Sequence, residues 1–122
     1  MPKKVLIVDD SKIVQNMHSF ILKEAGYECS TADNGFVALE MLAREPYDLI
    51  VCDVNMPRMD GYELTRRVRK TEGYENTPVI MISTEKEAAD KMKGMEAGAN
   101  VYIVKPAKPE ELVMNAKMLL GE

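Results

Sequence analysis

The sequence predicts an α/β fold: a doubly wound, five-stranded parallel sheet with helices on both faces. Three observations carry this. Short apolar runs alternate with helical patterns five times along the chain. Four of the runs are continuous and rich in Val and Ile, as strands covered on both faces should be. Polar residues follow the runs where buried strands would stop, which is where ligands bind in open α/β sheets.

The strands are expected at Val5–Val8, Tyr27–Ala32, Leu49–Cys52, Val79–Ile82 and Val101–Val104. The second contains Glu28-Cys29-Ser30-Thr31 and is the polar exception, so it belongs at an edge. Right-handed crossovers limit the topologies. The flavodoxin-like order 2-1-3-4-5 fits best because it leaves that strand outermost.

Helices fill the intervals. Ser11 is the expected N-cap of the first and Gly26 its stop. Ile13, Val14, Met17 and Ile21 keep helical spacing there. Asn34 is expected to cap the second helix, which ends near Arg44. The third runs from about Gly61 to Thr71, and the fourth from about Lys86 to Gly98. The fifth starts at Pro109, a favoured first-turn residue, and carries Leu112, Val113, Ala116 and Leu119. With 122 residues and no linker, repeat or low-complexity segment, the chain reads as one domain over 1–122.

Composition narrows the function. Hydrophobic residues make up 46% and charged residues 30%, a globular balance. The net charge of −4 argues against nucleic acid as a partner. No apolar run approaches the roughly 20 residues of a membrane span, and the first residues do not form a signal peptide. The expectation is a cytoplasmic monomer in which Cys29 and Cys52 are buried, reduced thiols.

The chemistry lies at the strand ends. Asp9 and Asp10 follow the first run, Asp53 the third and Lys105 the fifth. Three carboxylates and one ammonium at one sheet edge suit a divalent cation and a phosphoryl group better than a small organic substrate. Taken singly, each Asp is explained as a cap or turn former; the joint arrangement is what points to a site.

Asp9-Asp10, the segment Asp53-Val54-Asn55-Met56-Pro57-Arg58-Met59-Asp60-Gly61, Ser83 and Lys105-Pro106 together resemble the signature of the receiver domain of two-component response regulators. The resemblance covers the whole chain. Asn55 two residues after Asp53, and Glu85 two after Ser83, make it most similar to stand-alone, CheY-like members. The resemblance implies a phosphorylation switch rather than an enzyme acting on other molecules. Asp53 is then the phospho-acceptor for a sensor histidine kinase. Mg2+ is held by Asp10, Asp53 and the Asn55 main-chain carbonyl, with Asp9 acting through water. Lys105 and Ser83 contact the phosphoryl oxygens. Ser83 and Tyr102 form the switch, and Asn55, Thr84 and Glu85 tune dephosphorylation. Output is implied at the face of the fourth helix, last strand and last helix, toward a partner that the resemblance does not name, with chemotaxis one of the pathways such receivers serve. The bond at Lys105-Pro106 matches one that is cis in the family.

Other residues have blander readings. His18 is mid-helix and expected to be solvated or partly packed. The ten methionines are expected to be mostly core filler, with Met114 and Met118 on a second stripe of the last helix. Arg66, Arg67, Arg69 and Lys70 read as a solvated face. Gly61 needs either φ > 0 or close approach, and Gly94 should weaken the fourth helix. Two residues depart from the family pattern: Ala107 stands where Phe is usual, and Thr84 where a smaller residue is common.

Four alternatives stand against this reading, and the last of them is set aside. A phosphorelay intermediate, or a receiver module excised from a larger regulator, shares the chemistry. A haloacid-dehalogenase-like phosphatase also uses a strand-end Asp and Mg2+, but it wants a second Asp where Asn55 stands. A flavin binder wants Ser, Thr and Gly in the first loop, and Asp9-Asp10-Ser11 would repel its phosphate.

Overall fold

The structure, a computed structural model, describes residues 2–122. Its strands are β1 (Lys4–Val8), β2 (Glu28–Ala32), β3 (Leu49–Asp53), β4 (Val79–Ser83) and β5 (Val101–Val104). Its helices are α1 (Lys12–Glu24), α2 (Gly35–Arg44), α3 (Gly61–Arg69), α4 (Ala88–Ala97) and α5 (Pro109–Leu120). The sheet is parallel throughout and ordered β2-β1-β3-β4-β5. The polar strand lies at an edge, as its composition predicts. Boundaries move by one or two residues: β2 starts after Tyr27, β3 and β4 each include the polar residue that follows the apolar run, α3 stops before Lys70, and α4 starts at Ala88.

Each face of the sheet has its own apolar layer. Leu6, Val8, Ile50, Cys52 and Met81 point toward Ala38, Leu42, Leu64, Val68 and Ala97 of α2, α3 and α4. Val5, Ile7, Leu49, Val51, Ile80 and Ile82 point toward Leu22, Leu112 and Ala116 of α1 and α5. This alternation is the period of two of a pleated strand. Each fully buried aliphatic contributes about 1.5–3 kcal/mol. β5 departs from the expectation for a continuous apolar run: only Ile103 is buried, because β5 forms the second edge.

The helix ends follow local chemistry. Ser11 and Asn34 accept from Val14 N and Val37 N, as predicted. Asp60 caps α3 by accepting from Glu63 N at 2.9 Å, and Glu87 and Asp90 form a reciprocal capping box on α4. Gly26 follows the α1 C-cap with φ 101°.

Five expectations need correction. In α1 the inward face is Gln15, His18, Ser19 and Leu22, whereas Ile13, Met17 and Phe20 are 78%, 48% and 65% exposed. The Gln15 amide is drawn inward by two acceptors, the Asp9 carbonyl at 2.6 Å and Asp33 Oδ1 at 2.9 Å. His18, expected to be solvated or partly packed, is buried. The methionines divide: Met56, Met59 and Met81 are buried, but Met17, Met92, Met95, Met114 and Met118 are exposed. Arg69 leaves the solvated run and folds onto the Tyr74, Thr77 and Gly98 carbonyls, while Arg66 and Arg67 stay outside and pair with Glu63. Of the two free thiols, Cys52 is buried, but Cys29 on edge strand β2 is only half-buried.

Candidate functional site

The candidate site forms at the C-terminal edge of the three central strands and β5. Asp9 follows β1 and is buried, its N–H bonded to the Ala32 carbonyl of β2. Its Oδ1 accepts from Ser11 N at 2.9 Å, which turns the chain into α1. Asp10 is exposed beside it. Asp53, the last residue of β3, is 5% exposed. One carboxylate oxygen from each of Asp9, Asp10 and Asp53 lies within 4.8 Å of the others.

Lys105 reaches this cluster from the end of β5. Its Nζ lies 2.9 Å from Asp53 Oδ1 and 3.3 Å from Asp9 Oδ2. A hydrogen bond from Lys105 N to the Ser83 carbonyl extends the ladder by one residue and fixes the root of the side chain. The peptide bond to Pro106 is cis.

One ammonium does not balance three carboxylates. Burial pushes the Asp53 carboxyl above its usual range; Lys105 opposes this, and Asp9 and Asp10 add to it. Burial alone would lower Lys105, but the Asp53 and Asp9 carboxylates outweigh it and the ammonium is held above its ordinary value. The Lys105 shift reports the carboxylates around it, whereas the Asp53 shift is set first by burial. Hard oxygen donors with unbalanced charge in a tight group are what a divalent cation of the Mg2+ class requires, so the residues fit such an ion.

Gly61 brings the next loop against the site. A Cβ there would stand 2.9 Å from Val54 Cα and collide with the Asp53 carbonyl. The close-approach alternative is therefore the one realised. Asn55 is exposed in this loop, two residues beyond Asp53.

Ser83 ends β4 and is fully buried. Its Oγ accepts from Glu85 N at 3.0 Å, and the Glu85 carbonyl accepts from the Tyr102 hydroxyl at 2.7 Å. One peptide segment thus connects Ser83 to Tyr102. Thr84 and Glu85 have exposed side chains. The Tyr102 ring lies against Gly94, where an added Cβ would come within 2.9 Å of ring atom Cδ2. Gly94 therefore has a packing reason beyond its cost to the helix.

Two residues near the site were missed as contributors. Gln15 ties Asp9 to Asp33, and its signal was a polar residue four positions after the Ser11 cap. His18 is buried beside a cavity that Thr84, Lys105, Pro106 and Ala107 also line. Burial pushes its imidazole below the ordinary value; Asp9 opposes this and Lys105 reinforces it.

Known proteins resemble this chain in sequence and in fold. Protein PilG of Pseudomonas aeruginosa is 37% identical over 110 residues, covering 90% of this chain and 82% of that protein. The phosphate regulon transcriptional regulatory protein PhoB of the same organism is 39% identical over 118 residues, but this chain spans only 52% of its length. The chemotaxis protein CheY4 of Vibrio cholerae superposes with a TM-score of 0.94 at 40% identity, over 98% of this chain and 100% of that one. The receiver domain of a Pseudomonas aeruginosa sensor histidine kinase, with a magnesium ion coordinated in its active-site cleft, superposes with a TM-score of 0.91 at 29% identity, over the full length of both chains. No helix among the described residues is long and apolar enough to cross a membrane. The response regulator receiver domain model matches residues 5–117, from the first strand into the last helix, and with the sheet order and strand-end acidic cluster it places this chain in the receiver domain family of response regulators.

Proposed function

We propose that the protein is a phosphorylation-driven signalling switch whose acceptor is Asp53. The observation that carries this reading is the Asp53–Lys105 contact of 2.9 Å inside a cluster of three carboxylates. An Asp53 carboxylate oxygen attacks the phosphorus of a histidine kinase phosphohistidine. The new O–P bond forms as the N–P bond breaks, and the imidazole leaves with the electron pair. Phosphoryl transfer needs positioning and charge neutralisation more than covalent assistance. The Lys105 ammonium is a compact charge already directed at the acceptor, and the Ser83 hydroxyl is a second donor one strand away.

Asp10 and Asp53, with the Asn55 carbonyl, would hold Mg2+, and Asp9 would act through water. When bound, the ion neutralises the carboxylates and gives the phosphoryl oxygens a positive partner. By resemblance, Asn55, Thr84 and Glu85 flank the acyl phosphate and set how long it resists water. The phosphoryl state is read by a protein partner at α4, β5 and α5 through Ser83 and Tyr102. The resemblance to the chemotaxis protein CheY4 favours a chemotaxis pathway, with the protein acting as a cytoplasmic monomer that does not bind nucleic acid.

The test is labelling with acetyl phosphate and Mg2+, read by intact mass, followed by transfer from a phosphorylated kinase. One added phosphoryl group on the parent protein and none on Asp53→Asn is expected. Equal labelling of that variant removes Asp53 as the acceptor.

A further inference from the structure

A cavity of about 300 Å3 opens beside the acidic cluster. Val14 and Met17 of α1, with Pro106 and Ala107 after β5, give it apolar walls, and Thr84 and Lys105 add polar groups. Lys105 belongs to both places, since its Nζ bonds Asp53. Ala107 is only half-buried and its small side chain leaves the space open. The volume is at the lower end of those that take small organic ligands, and a mostly apolar lining with a few polar groups is the usual composition of such sites.

A phosphodonor reaching Asp53 carries a dianionic phosphoryl group and a leaving group. The Lys105 ammonium suits the first, and the adjoining apolar walls suit a carbon group on the second. We infer that this cavity receives the acyl portion of small acyl-phosphate donors, so that the protein favours donors with an apolar or aromatic acyl group over acetyl phosphate. The inference rests on Asp53 being the phospho-acceptor. In the step, an Asp53 oxygen forms a bond to phosphorus, the bond between phosphorus and the donor's carboxyl oxygen breaks, and the carboxylate departs with that electron pair. No proton or co-reactant is needed.

The experiment compares Asp53 labelling by acetyl phosphate and benzoyl phosphate, with Mg2+, on the parent protein, Ala107→Leu and Ala107→Phe. A parallel titration with phenylphosphonate follows methyl resonances of Val14 and Met17. Filling the cavity should reduce the benzoyl rate relative to the acetyl rate by about fivefold in Ala107→Phe, the effect of about 1 kcal/mol in a barrier, and by less in Ala107→Leu. The Val14 and Met17 methyls should shift in the parent and not in Ala107→Phe. An identical ratio of the two rates in all three proteins overturns the donor preference. Absence of labelling by either donor overturns the phospho-acceptor reading itself, and the methyl shifts then still decide whether the cavity takes an aryl group. Absence of those shifts removes the cavity as a site.

Discussion

The Tyr102 hydroxyl donates to the Glu85 carbonyl at 2.7 Å while its ring fills the space left by Gly94. The same Glu85 peptide segment donates its N–H to Ser83 Oγ at 3.0 Å. A phosphoryl group on Asp53 that recruits the Ser83 hydroxyl would therefore act on the anchor of the β4–α4 loop and on Tyr102 together. Tyr102→Phe keeps the ring and deletes one hydrogen bond, about 0.5–1.5 kcal/mol. It should raise amide exchange at residues 84–88 without changing phosphorylation of Asp53. Gly94→Ala gains helix propensity of about 1 kcal/mol but forces the ring outward, so the Tyr102 ring resonances should shift in that variant. Unchanged exchange in the first and unchanged ring shifts in the second would break the proposed coupling.

A divalent cation should stabilise the folded protein. Asp53 is disfavoured as a carboxylate by burial and by Asp9 and Asp10, and a cation that binds only the folded state relieves this by mass action. At a hundredfold excess over its Kd the gain is about 2.7 kcal/mol. Melting curves with and without millimolar Mg2+ should separate for the parent protein and coincide for Asp10→Ala. Asp53→Asn, which relieves the repulsion by another route, should melt higher than the parent when no divalent cation is present.

Gly61→Ala should be destabilising by about 1–3 kcal/mol, the range for overpacking. The neighbours of the added Cβ are the Asp53 carbonyl and Val54 Cα, which are backbone and cannot swing aside. Because that backbone carries Asp53, the variant should also label more slowly with acetyl phosphate. Urea melts and labelling rates of the one variant check both effects; parent-like values in both would show that the loop relaxes freely.

The fold was legible because period-two and period-3.6 patterns alternate cleanly and because the polar second strand has only one comfortable place. The grouping of Asp9, Asp53 and Lys105 was legible for a related reason, since each ends an apolar run whose register the sheet aligns. The rotation of α1 was not. Its sequence offers two stripes, one apolar through Ile13 and Met17 and one mixed through Gln15, His18 and Leu22, and hydrophobic periodicity selects the wrong one. The deciding interactions are hydrogen bonds from Gln15 to the Asp9 carbonyl and to Asp33, which pattern-reading does not weigh. Composition places Met92 and Met95 in the core because Met is apolar, and only the packing shows that α4 presents them outward; Met114 and Met118, expected on a second stripe of the last helix, are exposed as well.

Alkaline pH should destabilise the fold through its tyrosines. Burial first, and then the Glu122 carboxylate 2.7 Å away, pushes the Tyr27 phenol from 10.0 up to about 12. Burial also pushes Tyr62 from 10.0 to about 12, with Tyr102, Asp90 and Asp60 adding to it. Between pH 10.0 and about 12 the unfolded chain releases these protons and the folded protein keeps them. The unfolded state then binds fewer protons, so stability falls as pH rises through this window. Urea melts at pH 8 and near the middle of the window should show the loss, and Tyr27→Phe should reduce it. An equal loss in that variant would assign the effect to other groups.

Arg69 should prove the main tie between the ends of α3 and α4. Its guanidinium donates to the Gly98 carbonyl at 2.8 and 3.1 Å, to Thr77 O at 2.7 Å, to Tyr74 O at 3.2 Å and to Asn100 Oδ1 at 2.9 Å. Asn100 Oδ1 also accepts from Val79 N, the first residue of β4. One side chain thus holds the α3–β4 loop and the α4 C-cap in a fixed relation. A planar fork suits this, because its donors reach several acceptors at once, and an ammonium cannot reproduce that spread. Arg69→Ala should cost about 2–3 kcal/mol, in line with hydrogen bonds from a charged donor, and Arg69→Lys should recover only part. Gly98 is coupled to the same side chain. It has φ 115°, and an added Cβ would meet Arg69 Cγ at 2.9 Å. Gly98→Ala is therefore strained by its backbone and by Arg69 together, and in the Arg69→Ala background the second strain is gone. The two substitutions should combine to less than the sum of their separate effects, the signature of residues in contact. Strict additivity in urea melts of the four proteins would show that Arg69 and Gly98 act independently.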